Sequence, residues 1–181
     1  GAVLERWYAD DLLRVLDLLA YHYARSEERA KAVRYLQRAG EKAQREFANE
    51  VALGYYSQAL ERLEPGEQEL RYDLLAGRER VYNLLGNREA QEADLLEMGR
   101  LAEALDDACR RVEVLNRRAR RAVDIGAFED ARRLARQAKS RAVRFEDSLG
   151  AAEAQKTLGI VHGSLGEYEQ AIAQFDRVIR D

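Results

Sequence analysis

The chain has 181 residues, 46% hydrophobic and 35% charged, which excludes a disordered segment and a domain too small to bury a core without a disulfide or metal staple. A net charge of −3 gives no overall pull toward nucleic acid or an acidic membrane. The lone Cys109 excludes an internal disulfide and fits a reducing, cytoplasmic setting, and no apolar run approaches the roughly twenty residues of a membrane span.

The opening GAVLERWYADD lacks the basic head, apolar middle and cleavage site of a signal peptide. The sequence begins and ends inside helical pattern, which leads us to expect a piece of a longer protein. Apolar spacing predicts helices over roughly 8–24, 27–46, 48–63, 68–85, 88–105, 107–125, 128–147, 150–165 and 168–180. In 115–125, Leu115, Ala119, Ala122 and Ile125 form one stripe, and Tyr168, Ile172, Phe175 and Ile179 form another. Pro65 and Gly66 in LEPGEQ are the clearest punctuation. The expectation is one array over 1–181, irregular in 1–65 and more regular in 66–181.

The regular part repeats. Gly86, Gly126 and Gly166 recur every 40 residues, with an aromatic two positions on (Phe128, Tyr168) and an alanine five on (Ala131, Ala171) in the last two copies. Glycine suits a left-handed helix end, and an acid opening the next helix favours its dipole. Small residues let paired helices approach, and the aromatic is expected to fill the elbow.

These residues resemble tetratricopeptide repeats. Leu158, Gly159, His162, Gly166, Tyr168, Ala171 and Phe175 fit one repeat, with His162 at the first-helix aromatic position, and Ala119, Gly126, Phe128, Ala131, Ala135 and Ala138 fit another. Leu19, Ala20, Tyr23, Ala32, Leu36 and Ala39 fit the same frame, and Ala52, Tyr56 and Ala59 fit a second helix. The 40-residue period exceeds the usual 34 of the family, and the copy at Gly86 lacks the aromatic and alanine. HEAT-type pairs have similar periods, but the Gly-x-aromatic elbows favour tetratricopeptide repeats. Phrases such as LAYHYARS, RAGEKA and the stretch from Ala48 to Leu60 also resemble the segment after the ATPase core in large bacterial signal-transduction ATPases, some fused to cyclase or DNA-binding domains. The resemblance implies an all-α right-handed superhelix of antiparallel helix pairs, serving as the sensor or scaffold arm of such a regulator.

Motifs for chemistry are sparse, and we expect no enzyme, cofactor or metal site in this chain. His22, between Tyr21 and Tyr23, reads as a partly buried helix residue, and His162 is too distant in an extended array to join it. Cys109 precedes two arginines, which can lower a thiol pKa, but without a partner base it reads as a small residue at a helix interface. No phosphate-binding loop is present.

Charge is unevenly spread. Residues 110–144 hold twelve Arg or Lys against four acids, whereas 86–107 hold two Arg against seven acids. Pairing between neighbouring helices is favoured, each surface pair contributing a few tenths of a kcal/mol; a basic surface for a polyanion is the alternative. Arg117, Arg120 and Arg121 are expected to project from the apolar stripe. Carried over from the repeat family, the concave face holds Arg80, Asn83, Asn116, Arg120 and Lys156, a partial set for an acidic or carboxylate-bearing ligand. The expected partner is a protein or peptide, including the ATPase or effector domain of the same polypeptide, with self-association open. Nucleic acid is disfavoured, because aromatics are not interleaved with the basic residues, and no membrane is expected.

Overall fold

With a single proline in the chain, helices can run uninterrupted between elbows, and a computed structural model describes the result over residues 1–9 and 11–180, with side chains through Asp176. No strand occurs among the described residues, and none of their helices is long and apolar enough to cross a membrane. Two compact units divide the chain, Gly1–Glu97 and Met98–Asp181.

The first unit contains α1 (Ala2–Trp7), a 3-10 turn (Leu12–Val15), α2 (Leu16–Tyr23), α3 (Arg29–Arg45), α4 (Asn49–Leu60), α5 (Gln68–Leu85) and the start of α6 (Arg88–Ala104). The second holds the rest of α6 with α7 (Ala108–Asp124), α8 (Phe128–Arg144), α9 (Ser148–Ser164) and α10 (Tyr168–Arg180). Helices α2 to α5 pack in sequence, as do α7 to α10; α3 also touches α5, and α7 also packs on α9. This is an all-α array of sequential helices. The Pro65–Gly66 turn joins α4 to α5 within the first unit.

The predicted helices match from α3 onward to within three residues. The single helix expected over 8–24 is wrong. Asp11 is non-helical (φ −145, ψ 61), so the chain breaks there and restarts as a 3-10 turn before α2. Ahead of the break, α1 is tied down by Glu5, which accepts hydrogen bonds from Tyr35 Oη (2.5 Å), Tyr23 Oη (2.7 Å) and Lys31 Nζ (3.0 Å). The two phenol rings stack 5.1 Å apart. Donation from Tyr35 and Tyr23, then from Lys31, pulls the Glu5 carboxyl down to about 2. A carboxylate with a lowered folded pKa stabilises fully above its unfolded value, 4.5 here, and loses that contribution as pH falls toward 2. Partial exposure lets water screen the site, so Glu5→Gln should cost about 1–2 kcal/mol at pH 7 and almost nothing at pH 2. Urea unfolding at the two pH values checks this, and equal losses at both would remove the charge from the explanation.

The elbows have a finer period than the glycines show. Gly86, Asp106, Gly126, Glu146 and Gly166 all lie at positive φ (49 to 77°), one every 20 residues, so each helix and its connection form one unit of that length. At each, the next amide donates to a carbonyl five residues back, as in Asn87 N to Tyr82 O (3.0 Å) and Asp147 N to Ala142 O (2.9 Å); these bonds satisfy helix-end carbonyls. Asp107 and Asp147 then cap α7 and α9 by accepting from the amides of Arg110 (2.9 Å) and Gly150 (2.8 Å). Glu146 is strained where glycine would not be. Glu146→Gly should therefore raise stability by about 0.5–1 kcal/mol, measured by thermal unfolding.

Core positions follow the repeat frame closely. Leu19, Ala20, Tyr23, Ala32, Leu36, Ala39, Ala52, Tyr56 and Ala59 are all buried. In the second unit Ala119 packs with Ala135 and Leu158, and Ala122 with Ala131 and Val161, where Phe128 fills the elbow as expected. Tyr168 does not: it is 69% exposed, and Ile172 beside it is also exposed. Ile125 lies beyond the end of α7 and is exposed, and Ile179 lies outside the described side chains.

Candidate binding groove

Tyr56 on α4 is the keystone of the first unit. A Cβ at Gly40 on α3 would stand 3.0 Å from its ring, and one at Gly77 on α5 would stand 2.7 Å from it. The ring thus fits between two helices only because both present glycine. The same offset of sixteen residues relates Gly40 to Tyr56, Ala119 to Ala135 and Gly159 to Phe175. Two of these contacts set glycine against an aromatic ring and one sets alanine against alanine. A small residue on at least one helix lets each of these three pairs approach closely.

Above the Tyr56 ring lies an open groove of about 320 Å³ within the first unit. Helix α3 lines it with Glu41, Gln44 and Arg45, and α5 with Asp73, Gly77 and Arg80. The spacings explain this: positions 41, 44 and 45, and positions 73, 77 and 80, each share one helix face. Tyr56 Oη donates to Gln44 Oε1 at 3.3 Å. Burial, reinforced by Glu41, pushes the phenol up to about 12 against the pull of Arg80 and Arg45, so it remains protonated at neutral pH. The floor is an aromatic surface with a proton to donate, and the walls carry both signs of charge.

Behind this wall, Arg78 clamps Asp94 of α6 through two bonds, Nε to Oδ2 (2.9 Å) and Nη2 to Oδ1 (2.7 Å), and its Nη1 donates to Ser57 Oγ on α4 (3.2 Å). Asp94 is buried, and burial pushes its carboxyl up despite the guanidinium beside it. Gln91 Nε2 donates to the buried Glu79 (2.7 Å). These polar ties fix α4, α5 and the start of α6.

Of the residues expected on a concave face, the groove takes Arg80, whose Nε donates to Ala76 O (3.1 Å). Asn83 accepts from Arg88 Nη1 (2.6 Å). In the second unit, Asn116 Nδ2 donates to Gly150 O (2.9 Å), bracing α7 against α9. Arg117 is half-buried and holds Glu113 (2.6 Å), Arg120 faces Asp124 at 3.6 Å, Arg121 is half-buried, and Lys156 lies exposed 4.0 Å from Glu153. The projection expected of Arg117 and Arg121 is therefore only partial, because their stems lie along the helix surface. Tyr56 and Gly77 escaped the sequence reading as site residues. The sixteen-residue offset of Gly40 from Tyr56 was the available signal for the ring, and it gave none for Gly77.

The start of the basic segment pairs with 86–107: Arg111 meets Glu103 (3.4 Å) and Asp106 (3.0 Å), and Arg110 meets Asp107 (3.6 Å). On α8, Ala131, Ala135, Ala138 and Ala142 face the core, and the opposite face carries Arg133, Arg136, Arg141 and Arg144. Arg133 pairs with Asp130 (3.0 Å), while Arg136, Arg141 and Arg144 have no acidic partner among the described residues.

His22 is exposed rather than partly buried, because its neighbours Leu19 and Tyr23 take the inward face of α2; its ring meets Tyr21 edge-on at 5.4 Å. Cys109 is likewise exposed, not at a helix interface, since the first turn of α7 turns it outward. His162 is buried, its Nδ1 against the Glu167 carboxylate, which also accepts from Arg132 Nη2 (3.3 Å). The imidazole and then Arg132 hold Glu167 below the usual carboxylate range.

No protein-family model matches the chain, and neither does any curated protein. Among solved structures it is similar to the crystal structure of BtubC (BKLC) from P. vanneervenii, with a TM-score of 0.70 and 16% identity over 99% of this chain and 85% of that one. At that identity the likeness is one of fold alone. The chain is an all-helical protein with the fold of a helical repeat.

Proposed function

We propose that this chain is a non-catalytic interaction and regulatory module of tetratricopeptide type, binding a protein or peptide in the groove over Tyr56. In this reading it is the sensor arm of a larger cytoplasmic regulator, and contact with the ATPase domain of that regulator holds the enzyme off until a signal binds. The observation that carries the reading is the groove itself: an aromatic floor between two glycines, walled by both signs of charge on two different helices. A panel of immobilised peptides probed with the chain tests it. Binders whose signal changes on Arg80→Glu support the groove, and a blank panel removes it.

One observation favours a second reading. Arg136, Arg141 and Arg144, without acidic partners on the outer face of α8, suit a polyanion. Heparin binding that falls steeply with salt, and disappears when the three arginines become glutamates, would support it. The salt slope should fall by about one for every anionic group no longer neutralised.

A further inference from the structure

The walls of the Tyr56 groove are charged in an ordered way, and from that order we infer its ligand class: a zwitterion whose cationic and anionic groups stand about 6–10 Å apart. A short peptide held by its two termini meets that description, as does a stretch with one basic and one acidic side chain. The inference rests on the groove being the binding site, as proposed above.

Each wall contributes one acid and one base. On α3, Glu41 precedes Arg45 by one turn, a rise of about 6 Å; on α5, Asp73 precedes Arg80 by two turns, about 10 Å. Charges behind the groove are already engaged, as in the Arg78–Asp94 clamp and the Arg71–Glu97 pair, and within the lining Asp73 takes part in an interaction of its own. Glu41, Arg45 and Arg80 are not engaged in this way. Glu41 accepts only from the Gln37 amide (3.3 Å), Arg80 donates only to the Ala76 carbonyl, and none of the three forms an ion pair among the described residues.

Three unpaired charges of both signs around one phenol discriminate by repulsion as much as by attraction. A plain anion drawn to Arg45 and Arg80 meets Glu41 and Asp73, and a plain cation meets the reverse. A ligand with both groups at the right separation satisfies the three unpaired charges, Glu41, Arg45 and Arg80. The Tyr56 hydroxyl gives its single proton to Gln44 Oε1 at the long distance of 3.3 Å, and a ligand carbonyl competes with Gln44 for that proton. A volume of about 320 Å³ suits a few residues of extended chain rather than a folded surface.

Calorimetric titration of the full chain tests this with three probes: trialanine with free ends, trialanine acetylated and amidated, and Lys-Ala-Asp acetylated and amidated. At least one charged probe should bind at least tenfold more tightly than blocked trialanine. Preference for free trialanine identifies the termini as the source of the charges, and preference for blocked Lys-Ala-Asp identifies the side chains. Arg80→Glu and Glu41→Lys, both at exposed positions, should each weaken that binding at least tenfold with circular dichroism unchanged. Binding that ignores charge, or that survives both reversals, overturns the inference. So does a failure of all three probes: if the peptide panel still yields binders sensitive to Arg80→Glu, only the zwitterion assignment falls, and if the panel is blank the groove reading falls with it.

Discussion

Replacing Tyr56 with alanine should cost about 3–5 kcal/mol of stability, the range for deleting a large buried ring. The ring is only 2% exposed and fills the gap between Gly40 and Gly77, neither of which has a side chain to close over the cavity. Against a typical total of about 5–15 kcal/mol, that loss should move the urea midpoint far toward zero. Tyr56→Phe keeps the ring and forfeits only the long bond to Gln44, so it should cost about 1 kcal/mol or less. Gly77→Ala acts on the same packing from the other side, crowding the ring at 2.7 Å, with an expected cost of about 1–3 kcal/mol. If Tyr56→Ala and Tyr56→Phe lose equal stability, the ring is not the keystone.

Arg78→Met should cost about 3–5 kcal/mol, because it leaves the Asp94 carboxylate buried without its bidentate partner. Burial already pushes that carboxyl up while the guanidinium is present, so ionisation of Asp94 in the fold carries a penalty that Arg78 offsets. An acid with a raised folded pKa weakens the fold as pH climbs from its unfolded value through the folded one. The variant should therefore regain stability in acid, where Asp94 protonates, whereas the parent changes less. Adding Asp94→Leu to Arg78→Met removes the orphaned charge and should restore most of the loss. A double-mutant cycle by urea unfolding measures this, and additive losses would mean that the two side chains do not act as a pair.

Residues whose role is local were legible in the sequence. The glycines at 86, 126 and 166 mark left-handed helix ends, since few other residues adopt that conformation cheaply. Leu19, Tyr23, Leu36 and Ala52 are buried where the repeat resemblance places them, and an amphipathic helix has one face to bury. The intervening elbows were placed as helix breaks, but their left-handed conformation was not foreseen. Asp106 and Glu146 hold positive φ without being glycine, and only the packed helices on either side force them there.

The sequence alone determined that the chain is helical throughout, where most helices begin and end, and which faces turn inward, because propensity, capping and periodicity act over one or two turns. The tertiary structure decided what those faces meet. Whether Tyr56 packs between two glycines, Arg78 finds Asp94, or Glu5 reaches Tyr23 and Tyr35 depends on residues 16 to 30 positions apart brought together by packing. Periodicity within one helix carries no record of its neighbour. The same holds for the groove: Glu41 and Arg45 follow one periodicity, Asp73 and Arg80 another, and only the Tyr56 ring between their helices makes them the walls of a single site.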